Sequence, residues 1–490
     1  MKKIDPGLYD IDRSFPDEFT PAQIARGKTL FYQRLSETGH RFYQGKIQIL
    51  PKVPVFGFNW FNVWYTPGVS RVSTAIRDNN AESFALSNRG NLVAVVSDST
   101  RVLGDGDVTP SGGIGVMEGK AFLMKYLGGI DALPLCMDSR NGAGANDPEI
   151  IIDFVRRIQH SFGAVNLEDI SQPNCYRVLD ALRETCLIPV WHDDAQGTAS
   201  VLLAGLLNAL ELAEKKLTEV RIVYLGAGAA NTTCCRLNII CGADPLKTVI
   251  FDKDGALTLN RTDFRDHPAF YQQWQLCRET NPQGIVKIEA AVKNADVLIA
   301  FSKPGPDTID PRWIRIMAEK PIVFAGANPI PEIYPYAARE AGAYIVATGR
   351  GDFPNQLNNS IGFPGILKGA LLVRARKITD SMAIAAAHSL AGYARRRGIS
   401  VDNIVPNMTE PDLFAHEAAD VGVQAMNDGV AQTNLTRDEI FLKARADIET
   451  ARKAHELMIR HNIIPALPEA IVQEALEWAV GEIRKQPSSI

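Results

Sequence analysis

The chain has 490 residues, a formal net charge of −4, and is 46% hydrophobic and 22% charged; that length exceeds what one hydrophobic core usually organises, so two or more domains are expected. The mildly acidic balance, without any block of Lys or Arg, excludes a phosphate-tracking surface and with it a nucleic-acid partner. Seven cysteines without metal-type spacing fit a reducing, cytoplasmic setting, and no apolar run reaches the ~20 residues that cross a bilayer, so no membrane partner is expected.

The opening MKKIDPGLYD has two lysines and no apolar stretch behind them, which does not read as a secretory signal. Residues 1–60 read as an arm: a helix near Pro21–Gly39, then the β-like GKIQILPKVPVF. From 91 the pattern alternates. NLVAVVSD is a strand, GDGDVTPSGGIG a glycine-rich turn, VMEGKAFLMKYLGG a helix and ALPLCMD a strand. A helix over 148–160, the strand-like GAVNLEDI, a helix over 174–184 and the strand LIPVW follow. Strand, loop and helix in succession predict a parallel α/β sheet. A long apolar helix, Gly197–Lys216, leads to RIVYL, GAGAAN, a helix and TVIFD, which together form a βαβ unit. ADVLIAF, PIVFAGANP and AYIVATGR supply further strands, and from about 376 the chain reads as mostly helical. The expected architecture is an α/β parallel-sheet domain over 1–190, a Rossmann-like dinucleotide-binding domain over 191–375, and a helical C-terminal tail over 376–490 that packs back on both.

Three groups of residues carry chemistry. GAGAAN follows a strand and opens a helix, so Gly226 and Gly228 would let backbone N–H groups approach a pyrophosphate, and Asp252 would accept from the adenosine ribose. Asn231 stands where the fingerprint favours Gly or Ala. Glu168 with Asp169, and Asp193 with Asp194, close two strands whose C-terminal ends line one sheet edge. Carboxyls converging there repel one another unless a cation lies among them, and all-oxygen ligands select Mg²⁺ or Mn²⁺. Lys120 lies in the first turn of an apolar helix, where the dipole and partial burial predict a lowered pKa suited to a base. Tyr65 precedes a Thr-Pro-Gly turn, Arg101 offers a carboxylate clamp, and the amides of TGRGDFPNQLNN suit a carboxylate or a nicotinamide.

In order, YTPGV, VLGDGD, VMEGKA, NLEDI, HDDAQGTA, GAGAAN, ANPIPEI, ATGRGDFPNQLNN and FPGILKGAL resemble the malic enzymes across residues 65–371. The resemblance implies oxidative decarboxylation of L-malate to pyruvate and CO₂, with NAD (NADP more weakly) and Mg²⁺ or Mn²⁺. It implies Lys120 as base, Tyr65 as proton donor to the enolpyruvate, Glu168, Asp169 and Asp194 on the metal, and Asp193 beside them. Arg101, Asn328 and Asn359 would bind malate or the adjoining nicotinamide. Gly226, Gly228, Ala229, Asn231, Asp252, Lys253, Ser302 and Asn328 would hold the coenzyme, and a homo-oligomer, dimer or tetramer, is implied. A malolactic or oxaloacetate-decarboxylating enzyme, and a dinucleotide-binding regulator without chemistry, stay open as alternatives.

Overall fold

The computed structural model describes residues 4–102 and 104–485; Leu103 of the VLGDGD motif lies outside the described residues. The chain forms two compact units, one from the described parts of 1–50 and 452–490 and one over 51–451. In the first, the Pro21–Tyr43 helix opens with a capping box. Thr20 Oγ1 accepts from the Gln23 N–H while Gln23 Oε1 accepts from the Thr20 N–H, and Pro21 takes the position where no donor is needed. Phe31 of this helix is fully buried in a small core with Leu476 and Ala479 of the Glu469–Lys485 helix.

The second unit holds two sheets. The first runs β2 (Asp131–Cys136), β1 (Leu92–Ser97), β3 (Ala164–Leu167), β4 (Val190–His192), all parallel. The second runs β10 (Ile345–Thr348), β9 (Ile322–Ala325), β8 (Val297–Ala300), β5 (Ile222–Leu225), β6 (Thr248–Asp252), β7 (Gly255–Ala256), parallel but for the last pair. Strands such as Leu92–Ser97 and Val297–Ala300 are continuous β-branched and aliphatic runs because helices cover both faces, leaving no solvent side for alternation. The predicted α/β class is what the chain adopts.

Between β4 and the second sheet, a π-helical turn (Asp193–Gly197) runs into the Thr198–Ala213 helix. That helix is apolar around most of its circumference because most of it is buried, with Glu211 exposed near its C-terminal end. It packs against Ala229–Ile240 and Asp380–Arg397, and its few polar groups find partners: Ser200 Oγ donates to the Ala383 carbonyl, and Asn208 Nδ2 to those of Ala391 and Ile404. The predicted helical stretch after 376 divides. Asp380–Arg397 and Leu413–Asn427 belong with the sheets, whereas residues from 452 join the N-terminal helix.

GKIQILPKVPVF forms no strand. Pro51 and Pro54 remove ladder donors, and Ile49, Val53 and Val55 point to solvent, so alternation without a neighbouring edge yields extended coil. No helix among the described residues is long and apolar enough to cross a membrane.

Candidate active site

The C-terminal ends of β3 and β4 bring the acids together. Glu168 and Asp169 follow β3, and Asp193 and Asp194 open the π-helical turn after β4. Glu168, Asp169 and Asp194 each offer an oxygen within 4.8 Å of the others. The Asp169 N–H donates to Asp194 Oδ2 at 2.7 Å, and Asn166 Nδ2 to Glu168 Oε2 at 2.8 Å, which fixes both carboxylates. Asp169 Oδ2 is buried without a hydrogen-bond partner. An orphaned buried carboxylate oxygen among three acids is what a hard divalent cation would satisfy, and the donor set fits one.

Lys120, on the Ile114–Gly128 helix, is buried beside them. Its Nζ lies 2.9 Å from Glu168 Oε1, donates to Asp193 Oδ2 and, at 3.2 Å, to Asn359 Oδ1, and stands 4.7 Å from the centre of the Phe363 ring. Asp193 Oδ1 accepts from Trp191 Nε1 at 3.2 Å. Gly197 is the residue this packing demands, since a Cβ there would collide with Asp193 Oδ1.

The expected lowering of the Lys120 pKa is overturned. Burial does push it down, but Asp193, Glu168 and Asp194 together push it further up, and the ammonium is held above the ordinary lysine value. For the acids, burial acts first and raises Glu168 and Asp193, with Lys120 opposing in both. Asp169 is pushed up to about 8, by burial and then by Asp194. The helix dipole has little influence, because the helix begins at Ile114 and Lys120 lies beyond the first turn in which it was expected, whereas three carboxyls act at close range.

Among the remaining expected substrate residues, the Arg101 N–H donates to the Asp169 carbonyl at 3.0 Å, and its guanidinium helps hold the Asp169 carboxyl down. Asn328 sits on the loop after β9, against Gly349 and with its carbonyl against Gly104. Tyr65 is not brought into this set. It follows the short Trp60–Trp64 helix, is 73% exposed, and makes no hydrogen bond to Lys120 or the acids among the described residues.

At the glycine turn, Gly226 has φ +104°, and a side chain there would strike the Phe301 carbonyl. Gly228 faces open space and Ala229 begins the Ala229–Ile240 helix, so first-turn N–H groups stand over the turn. Asn231 is used by the turn itself: its Nδ2 donates to the Leu225 and Gly226 carbonyls, both at 3.0 Å. Asp252 ends β6 as predicted, but its carboxylate is not free. Arg261 grips it in a fork of 2.9 and 2.6 Å and also holds Asp263. Lys253 points away, its side chain 89% exposed and paired with Asp254. Arg261 was not legible as a site residue, because the nine-residue excursion through β7 that returns it to Asp252 carries no motif. Ser302, after β8, donates its N–H to Glu332 at 2.7 Å.

A parallel sheet with a glycine turn at its centre, adjoining a second sheet edged with carboxylates and a buried lysine, defines a dinucleotide-dependent oxidoreductase class. Residues 44–183 match the family profile described as malic enzyme, N-terminal domain, and 195–426 match malic enzyme, NAD binding domain. The chain belongs to the malic enzyme family, whose reaction is the oxidative decarboxylation of malate. It is similar to the crystal structure of the Entamoeba histolytica malic enzyme, with TM-score 0.97 and 58% identity over 99% of this chain and 100% of that one. The NAD-dependent malic enzyme of Geobacillus stearothermophilus is 41% identical over 388 residues, 79% of this chain and 78% of that protein. The bifunctional malic/malolactic enzyme of Bacillus subtilis is 38% identical over 410 residues, 83% and 96% respectively.

Proposed function

We propose that this protein oxidatively decarboxylates L-malate to pyruvate and CO₂ with NAD⁺ and Mg²⁺ or Mn²⁺ in the cytoplasm, as a homo-oligomer. The observation that carries the reading is the meeting of Lys120 with Glu168, Asp193 and Asn359 beside a three-carboxylate cluster. Glu168, Asp169 and Asp194 would hold a divalent cation, whose chemistry there would be to offset the charge of these acids and to act as a Lewis acid during decarboxylation. With the carboxylate charge offset by such a cation, the Lys120 ammonium would pass one proton to Asp193, to which it already donates, and the neutral amine so formed, held by Asn359, would take the C2 hydroxyl proton as hydride leaves for NAD⁺. Arg101 and Asn328 orient the substrate carboxylate and the nicotinamide. All seven cysteines are free, which supports the reducing compartment.

L-malate, Mn²⁺ and NAD⁺ given to the purified protein should yield equal amounts of NADH and pyruvate. Lactate formed without net NADH would establish the malolactic alternative, and no turnover in any assay would leave a dinucleotide-binding regulator.

Coenzyme choice turns on Arg261 rather than Lys253. Asp252 keeps lone pairs for the ribose hydroxyls, so NAD⁺ is preferred, but the guanidinium beside it offsets the charge that would repel a 2′-phosphate. Arg261→Ala should lower kcat/KM for NADP⁺ about tenfold more than that for NAD⁺. Equal losses for the two coenzymes would show that Arg261 only supports the turn.

Val55, Phe56, Phe58, Phe61 and Trp64 are exposed on the same segment as Tyr65, an apolar patch of the kind a partner covers. A second copy of this chain is that partner, and it brings Tyr65 to the enolpyruvate that one chain alone leaves without its proton donor. Tyr65→Phe and Lys120→Ala, each nearly inactive alone, should regain activity when subunits are exchanged between them. A monomer by light scattering, or no regain on mixing, would refute the shared site.

A further inference from the structure

Glu332 lies on the loop after β9, fully buried, and the mechanism above does not use it. Its Oε1 accepts from the Ser302 N–H at 2.7 Å and from the Ser302 hydroxyl at 3.3 Å, and its Oε2 accepts from the Ala327 N–H at 3.0 Å. Its own carbonyl accepts from the Ile309 N–H at 3.0 Å. One carboxylate therefore joins the loop after β8 to the loop after β9, the two segments that carry Ser302 and Asn328. The joint continues in both directions. The Phe301 carbonyl is packed against Gly226 of the glycine turn, and the Asn328 carbonyl and the Pro304 ring are packed against Gly104. Arg350 Nη1 holds the Pro329 carbonyl at 2.9 Å from the β10 side.

A buried acid needs a reason. Burial alone lifts the Glu332 carboxyl, and it rests at about 7 because the Ala327, Ser302 and Glu332 backbone donors and the Ser302 hydroxyl pull it down. A hydrophobic residue of similar size would fill the space without this penalty but would leave the Ser302 and Ala327 N–H groups unpaired. Only a group with two acceptor oxygens satisfies donors on two different loops at once.

We propose that Glu332 is a positioning residue for the coenzyme: its carboxylate locks the loops after β8 and β9 in the register that presents Ser302 and Asn328 to the nicotinamide half of NAD⁺. This rests on the dinucleotide reading of the second sheet. The lock acts on binding and not on proton transfer, because Glu332 makes no hydrogen bond to Lys120 or to the carboxylate cluster among the described residues. Glu332→Gln keeps the shape and one acceptor but turns an amide N–H towards a backbone N–H, so one donor is mispaired.

The test is titration of the full-length protein with NADH and NAD⁺, followed by kinetics at saturating coenzyme. E332Q is expected to bind NADH about tenfold more weakly, the effect of one mispaired buried donor, with kcat at saturating NAD⁺ within about twofold of wild type. Glu332→Asp keeps two acceptors one methylene further back and should fall between, about threefold weaker than wild type. Wild-type NADH affinity in E332Q would overturn the proposal, as would a fall in kcat without a change in affinity. Should E332Q not fold, E332D decides alone: weaker NADH binding with unaltered kcat supports the lock, and wild-type binding overturns it. A wild-type protein that binds neither NADH nor NAD⁺ would overturn the dinucleotide reading itself, an outcome distinct from the others.

Discussion

Lys120→Ala is expected to lower kcat for malate oxidation by about 10³-fold, the range of a positioned general base, while leaving the affinity for NADH within about twofold. A neutral secondary alcohol is a poor hydride donor, so oxidation at C2 needs a group that takes the hydroxyl proton as hydride leaves. Among the described residues Lys120 Nζ is the amine that meets both a buried carboxylate, Asp193, and an amide, Asn359. The variant also leaves Asp193 and Glu168 buried without their counter-ion, at a cost of about 3–5 kcal/mol. Stability will therefore fall together with activity, and loss of rate alone would not separate the two causes. NADH binding does: the glycine turn and Ser302 lie on the other sheet and should remain intact in a folded variant. A folded Lys120→Ala protein that keeps more than a tenth of wild-type kcat removes Lys120 from proton transfer.

What could be read from sequence follows from which interactions are local. β1, β5, β8 and β9 announce themselves because a strand covered on both faces must be apolar throughout, and the glycine turn because only Gly226 tolerates φ +104° against the Phe301 carbonyl. The acids were legible as a group because two strand ends of one parallel sheet point the same way. The charge state of Lys120 was not, since it depends on carboxyls 48 and more positions away whose distances no pattern encodes. That Asp252 ends β6 was legible, but its pairing with Arg261 was not, because that cation returns through a two-stranded turn. Glu332 left no signal either. Its partners are backbone N–H groups, which every residue has, so nothing in the chain marks Ser302 and Ala327 as the ones it holds. The strand expected over GKIQILPKVPVF failed for the opposite reason: its alternation is real, but a strand needs an edge to pair with, and two prolines deny it one.

Asp194→Asn should raise the Mn²⁺ concentration for half-maximal activity by about 100-fold, on the order of 3 kcal/mol of lost binding, without destabilising the metal-free fold. Of the three carboxylates, Asp194 is the one open to solvent, its side chain 33% exposed, while Glu168 and Asp169 are buried. Its structural duty is one bond, accepted from the Asp169 N–H at Oδ2, and an asparagine Oδ1 can accept that bond equally well. What the variant loses is a charge. In the metal-free protein that charge is a liability, since it is the next cause after burial of the rise that takes Asp169 to about 8. Removing it relieves like-charge repulsion, so the metal-free melting temperature should hold or rise slightly. Against a divalent cation the same charge is attractive at close range and poorly screened, so the affinity should fall steeply. Weaker Mn²⁺ binding without loss of metal-free stability is a combination that a general disruption of the site would not produce. An unchanged Mn²⁺ requirement takes Asp194 out of the ligand set and leaves Glu168 and Asp169 to hold the ion with a donor from elsewhere.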